Sequence, residues 1–261
     1  MDELPGASRS YRGEFLSANG MRLFYEIMGD GPPLLLLHGY TFSGEMWSAT
    51  AAELMHSYRL IIPDLRGHGR STSPTNDFDH FQTALDLIEL LDHLGIDHTG
   101  VIGYSYGGIV ALHLAMYQPS RIRALIAIGA SARMTDQHRA ICTMMTPTHT
   151  SWDWSVLRQR HIGGDTQIQA LLEQFHQWRE FDGDALFPVE NLAAITARTL
   201  LIHGDRDSFF PISTAVELYT SIPTAALWII PNADHFCITD DHHAEFVRIA
   251  HQFLHHAWAA P

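Results

Sequence analysis

Cysteine is nearly absent from this 261-residue chain: it has two, Cys142 and Cys237, far apart in sequence, so neither a disulfide framework nor a cysteine-based zinc site can be read from it. Two reduced thiols suit the cytosol, and a cytoplasmic location is the expectation. Positive charge is also scarce. Sixteen Lys and Arg stand scattered against 29 Asp and Glu, a formal net charge of −13. That balance works against nucleic acid and anionic membranes as partners, because both need clustered cations. A small molecule is the expected partner. No apolar run reaches transmembrane length, and the acidic start MDELPGASRSYRG lacks the roughly 7–15-residue apolar stretch of a signal peptide. No tract is biased enough to suggest disorder, and no internal repeat is present. His242, His243, His255 and His256 lack the H-E-x-x-H spacing of a metal site and read as surface residues.

What is present is an ordinary globular composition, 46% hydrophobic and 17% charged, in a length that suits one large domain or a domain with an insertion. Met21 to Gly29 alternates apolar and polar residues like a half-exposed strand and is expected to begin an antiparallel edge. Leu34–His38, Arg59–Leu65, Thr99–Ser105, Ala124–Ala130, Thr199–Gly204 and Ala225–Pro231 are continuously apolar, as suits strands buried on both faces. Between them lie helical patterns. Phe78 to Leu94 has Phe81, Leu85, Ile88 and Leu91 or Leu90 at three- and four-residue spacing, with Gly95 as a stop; Ile109–Tyr117 and Ile212–Tyr219 read similarly. Strands alternating with helices imply a mostly parallel sheet covered on both faces. From Ser131 to Pro188 there is helical patterning and no strand candidate, with Trp152, Trp154, Phe175, Trp178, Phe181 and Phe187 concentrated there. This stretch reads as a helical cap, residues 131–188, inserted between core segments 1–130 and 189–261, over the strand ends where ligands bind in such sheets.

Gly103-Tyr104-Ser105-Tyr106-Gly107 matches G-x-S-x-G, the turn that lifts a nucleophilic serine between a strand and a helix. With Gly and Ser each near ~7% of residues, about 0.1 chance matches are expected in a chain this long. The context decides: VIGYS ends an apolar strand and YGGIVALHLAM begins a helix. A serine hydroxyl needs a neighbouring base, and the base an orienting carboxylate. Asp205 and Asp207 follow one apolar strand and His235 follows another, so both groups leave strands at the edge that carries Ser105, in the order serine, acid, histidine expected for this motif. Cys237, close to His235, reads as a buried apolar thiol.

These segments, with LLLLHGY (34–40), DLRGHGRS (64–71), GYSYGG (103–108), LLIHGDRDSFFP (200–211) and IPNADHF (230–236), resemble the α/β-hydrolase superfamily over nearly the entire chain, from Gly20 to Leu254. The resemblance implies an α/β fold with an eight-stranded, mostly parallel sheet flanked by helices. It selects Asp207, the second aspartate of G-D-x-D, as the acid beside Ser105 and His235, leaving Asp205 to the turn. The loop after His38-Gly39 would supply a backbone N–H from Tyr40, beside that of Tyr106, as an oxyanion hole. The mechanism so implied is attack by Ser105 on an acyl carbon, with His235 moving protons and Asp207 orienting it; it calls on no metal and no organic cofactor. Activity should fall at acidic pH as the base protonates. His38, Trp152, Trp154, Phe209 and Phe236 are candidates for the substrate pocket, His38 having a second reading as a brace of the oxyanion loop and the aromatic residues a second reading as core packing. Asp64, Arg66 and His68 read as a structural turn.

The fold hosts many chemistries. Superfamily members that open epoxides or displace halide place aspartate at the elbow, so serine argues against both. The aromatic-rich insertion and missing basic patch favour hydrolysis of a small or medium apolar carboxylic ester, lactone or thioester. C–C bond hydrolysis of a vinylogous diketone and low-turnover reception of a small apolar ligand are the alternatives.

Overall fold

Strand alternation sends successive side chains to opposite faces, and here it divides a sheet between two cores. A computed structural model describes residues 12–73, 79–181 and 186–259. The strands are β1 (Arg12–Ala18), β2 (Met21–Met28), β3 (Pro33–Leu37), β4 (Arg59–Pro63), β5 (Thr99–Tyr104), β6 (Ile122–Ile128), β7 (Arg198–Gly204) and β8 (Ala225–Ile230). They lie in the order β1-β2-β4-β3-β5-β6-β7-β8. β1 and β2 pair antiparallel, as do β2 and β4, and every later pair is parallel. Parallel neighbours need crossovers, supplied here by helices: α1 (Ser48–Leu54), α2 (His80–His93), α3 (Tyr106–Tyr117), α4 (Asp136–Met144), α5 (Trp154–Arg160), α6 (Gly164–Gln177) and α7 (Ile212–Ser221); α8 (His243–Ala259) follows β8.

Leu35, Leu37, Val101 and Leu125 face α2, α3 and α7 through Leu87, Val110 and Leu218. Their alternates Leu34, Leu36, Ile102 and Ile126 face α1 and α8 through Leu54 and Phe246. The chain leaves β3 toward β4 on one side and returns to β5 on the other, which makes the β3/β5 ends the switch point where a crevice opens.

Two expectations need correction. The leading edge is β1, and β2 is its antiparallel partner, running on from it through the turn at Asn19 and Gly20. In α2 the expected stripe fails at its start and holds at its end: Phe81 is 40% exposed and Leu85 and Ile88 are partly buried, whereas Leu90 and Leu91 are buried together with Ala84, Asp86 and Leu87. Asp86 faces inward because Arg66 meets it with two hydrogen bonds, Nε at 2.8 Å and Nη2 at 2.6 Å, both side chains being buried. The paired guanidinium makes the inward carboxylate tolerable. Phe78, the expected start of this helix, lies outside the described residues, as do residues 1–11 of the acidic N-terminus.

Between β6 and β7 the described residues hold no strand. Leu157, Ile168 and Leu172 of α5 and α6 form a small cluster, while Cys142, Leu171 and Phe175 join the main core. Polar ties fix the segment to core loops: Gln167 Nε2 donates to the carbonyls of Gly67 at 2.9 Å and Gly69 at 3.2 Å, and the Tyr40 hydroxyl donates to the Leu171 carbonyl at 3.0 Å. No helix among the described residues is long and apolar enough to cross a membrane.

Candidate active site

Ser105 directly follows β5 with φ 52° and ψ −115°, a positive φ unusual for a non-glycine residue, and α3 starts at the next position. Two glycines permit this reversal. A Cβ at Gly103 would fall on the Gly107 carbonyl, and one at Gly107 on the Leu37 carbonyl. The Ser105 amide donates to the Ile128 carbonyl at 2.7 Å, tying the turn to β6.

His235 Nε2 lies 2.9 Å from Ser105 Oγ, and His235 Nδ1 lies 2.8 Å from Asp207 Oδ2. Asp207 and His235 are buried. The other Asp207 oxygen accepts the backbone N–H groups of Phe209 at 2.8 Å and Phe210 at 2.9 Å, so both carboxylate oxygens are committed and the rotamer is locked. Asp205 stays clear of the imidazole, its Oδ2 lying 3.8 Å from Arg206 Nε. Opposite a carboxylate the Nδ1 proton is favoured, which leaves Nε2 as the acceptor facing the hydroxyl.

Several residues that the sequence pattern did not single out hold this row. Asp234 Oδ1 accepts the Ser208 N–H at 2.7 Å and the His235 N–H at 2.6 Å, joining the two loops that carry acid and base. Gln137, from α4, donates to the Asp207 carbonyl at 2.8 Å. Gly129 directly follows β6 with φ 56°, and a Cβ there would stand 3.0 Å from His235 Cε1. Only the motif residues had a sequence signal; these contacts join positions scattered over the chain.

A cavity of about 640 Å³ is lined by Ser105 and His235 together with Trp152, Phe175, Trp178 and Phe209. Phe209 stacks on His235 with ring centroids 4.5 Å apart, and Phe236 also lines the wall while remaining 47% exposed. Of the candidate pocket residues the cavity wall thus holds Trp152, Phe209 and Phe236, and two others lie elsewhere. Trp154 turns to the small cluster of Leu157, Ile168 and Leu172 and is absent from the cavity wall. His38 is fully buried, with Nδ1 2.8 Å from the Gly39 carbonyl and Nε2 accepting the Leu65 N–H at 2.8 Å. Both ring nitrogens being used, it braces the loop after β3 and does not face the cavity. Asp64 is likewise structural, its oxygens accepting the Gly44 and Arg70 amides at 2.8 Å each. Cys142 and Cys237 are buried thiols, both pushed up to about 12 by burial.

Thr41, one residue beyond Tyr40, has φ 62°. Its carbonyl receives two groups from the inserted segment, Arg160 Nη1 at 2.8 Å and His161 Nε2 at 3.1 Å. His161 Nδ1 accepts the Gly69 N–H at 2.9 Å, so His161 bridges the loops after β3 and β4. His68 packs between His38 and His161 at ring distances of 5.2 and 6.0 Å. Burial lowers His38 and His161 to about 4 and His68 well below the ordinary imidazole range. An imidazole whose folded pKa lies below its unfolded value of about 6.5 takes up a proton on unfolding. The stability it confers is therefore whole above that value and is lost as pH falls toward about 4. We expect Tm to be on the order of 10 °C lower at about pH 5 than at about pH 7. Scanning calorimetry checks this, and a Tm flat across that window would contradict the neutral buried cluster.

A family model described as the alpha/beta hydrolase fold matches residues 32–161, a span that includes the loop after β3 and the serine elbow. With the strand order above, that match decides the assignment. The chain belongs to the α/β-hydrolase superfamily. Among curated proteins, it is 44% identical over 97 residues to a soluble epoxide hydrolase of a Corynebacterium species, covering 37% of this chain and 34% of that one. The matched stretch thus spans about a third of that relative's length. It is 26% identical over 253 residues to a non-heme haloperoxidase of Rhodococcus erythropolis, covering 84% of this α/β-hydrolase and 91% of the relative. Among solved structures, a meta-cleavage product hydrolase from Pseudomonas fluorescens superposes with a TM-score of 0.72 at 22% identity, covering 94% and 98% of the two chains. An esterase from a Rhodococcus species gives 0.71 at 24% identity with the same coverage. At these identities the structural likeness concerns the fold.

Proposed function

We propose that this α/β-hydrolase is a serine hydrolase that cleaves a small or medium, largely apolar carboxylic ester, lactone or thioester through an acyl-serine intermediate. The observation that carries the reading is the hydrogen-bonded row Asp207, His235, Ser105 opening on an aromatic cavity. Ser105 Oγ attacks the acyl carbon as its proton passes to His235 Nε2, giving a tetrahedral intermediate. The Tyr40 and Tyr106 N–H groups receive the developing oxyanion, an interaction usually worth a factor of about 10² to 10³ in rate for each donor. The intermediate collapses as the bond from the acyl carbon to the leaving oxygen (sulfur in a thioester) breaks, the imidazolium protonates that atom so that it departs as an alcohol or thiol, and an acyl-serine remains. Water, losing a proton to His235, then releases the acid and restores the hydroxyl.

In this reading residues 131–188 act as a cap between core segments 1–130 and 189–261, and their aromatics exclude water from the acyl group. The likeness to an epoxide hydrolase does not redirect the chemistry, because superfamily members that open epoxides carry aspartate where this chain has Ser105.

Hydrolysis of p-nitrophenyl acetate, butyrate and octanoate tests the proposal. Multiple turnover is expected, with an acyl group added to the Ser105 peptide when the reaction is quenched early and weighed by mass spectrometry. Absence of both turnover and acylation across the three esters would sink it.

A further inference from the structure

The geometry points to an ester that carries a carboxylate on its apolar body, bound by the guanidinium of Arg160; this deepens the serine-hydrolase reading and rests on it. Arg160 closes α5 and is the one Arg or Lys in the cavity wall among the described residues. It is partly buried. One N–H goes to the Thr41 carbonyl, and Cζ stands 4.3 Å over the Phe42 ring. No described carboxylate comes within 4 Å of it to form an ion pair. Glu45, the acid whose field bears on it, is exposed. Asp153, the one carboxylate in the wall, accepts the Ser155 and Val156 amides at 3.0 and 3.2 Å to cap α5.

A cation drawn partly out of water without a counter-ion is costly. Its Thr41 contact and ring contact use one of five N–H donors and one face. The remaining donors form the planar fork that receives a carboxylate through two parallel hydrogen bonds. In a chain of net charge −13, an anionic substrate meets general repulsion, so selectivity for one requires a fixed local cation. Arg160 lies on the Phe42 side of the wall, where Phe42 packs against Phe236 at 5.7 Å, the residue next to His235. A substrate acylating Ser105 can thus reach both groups within one cavity.

Arg160 also holds Thr41, so its removal should slow every ester; the test therefore reads a ratio. Monomethyl esters of the straight-chain diacids from succinate to suberate are compared with methyl esters of the monoacids of equal length. At the best-fitting length the wild type should favour the charged ester in kcat/KM by about 10- to 100-fold, mainly through KM. Arg160→Gln should abolish that preference and Arg160→Lys should keep part of it. No preference at any length, or an equal loss on both esters in Arg160→Gln, would overturn the inference. Binding of the same pairs to Ser105→Ala, followed by the fluorescence of Trp152 and Trp178, reads the anion site without turnover. Charge-selective binding in an enzyme that hydrolyses neither ester would sustain the site and defeat the ester chemistry. Turnover of neutral esters without selectivity would defeat the site alone.

Discussion

Ser105→Ala is expected to lower kcat for p-nitrophenyl butyrate by about 10⁴- to 10⁶-fold with little change in KM. The magnitude follows from what the substitution removes and what it leaves. Oγ is the atom 2.9 Å from His235 Nε2, and without it no acyl-serine forms. The remaining route is direct attack by water with His235 as base. On the proposed mechanism the Tyr40 and Tyr106 amides and the cavity would still position the ester, so a residual rate some 10³-fold above solution is expected. The fold should tolerate the change. Alanine meets the same φ of 52° that serine meets, and the lost hydrogen bond is worth about 1 kcal/mol at a partly exposed site, so Tm should move little. Steady-state kinetics beside a thermal melt separate the two effects. A variant that folds and keeps a rate within tenfold of the wild type would show that Ser105 is not the nucleophile.

The reach of sequence reading here follows from where burial leaves a signal. Strands β3 to β7 lie inside a mostly parallel sheet, and LLLL, RLII and TLLI announce themselves because both faces of such strands are apolar. β1 has the sequence RGEFLSA and is largely exposed at the sheet edge, so it carries no such run and was missed. The expected stripe of α2 departs from the structure at Phe81 because a buried carboxylate turns the first turns of the helix: Asp86 is inside only because Arg66, 20 positions earlier, reaches it. Ser105, Asp207 and His235 were legible because each ends a strand in a recognisable pattern. Arg160 and His161 were not. Their partner is the carbonyl of Thr41, 119 and 120 positions away, and no local pattern encodes a contact with a backbone oxygen so distant. Trp154 failed in the opposite sense, since an aromatic residue in a cap-like segment serves a small core as readily as a pocket.

Asp207→Asn is expected to cost about 10⁴-fold in kcat, and the hydrogen bonds specify why so small a change is so damaging. Asp207 Oδ1 accepts two backbone N–H groups, from Phe209 and Phe210. In the asparagine variant that position must hold the amide oxygen, because an NH₂ there would face two donors. The NH₂ is then forced to the place of Oδ2, 2.8 Å from His235 Nδ1. A donor at that place requires Nδ1 to be the acceptor, which moves the imidazole proton to Nε2 and aims an N–H at Ser105 Oγ. The ring keeps its position and loses its function as a base. KM should therefore change little, and the imidazole tautomer, read by ¹⁵N chemical shifts of the ring, should switch. Asp205→Asn is the matched control: its side chain makes no contact with the ring, so it should leave rate and tautomer nearly unchanged. If Asp205→Asn proved the more damaging of the two, or if Asp207→Asn kept its rate within tenfold, the acid assigned by the geometry would be wrong, and with it the tautomer on which the serine's activation depends.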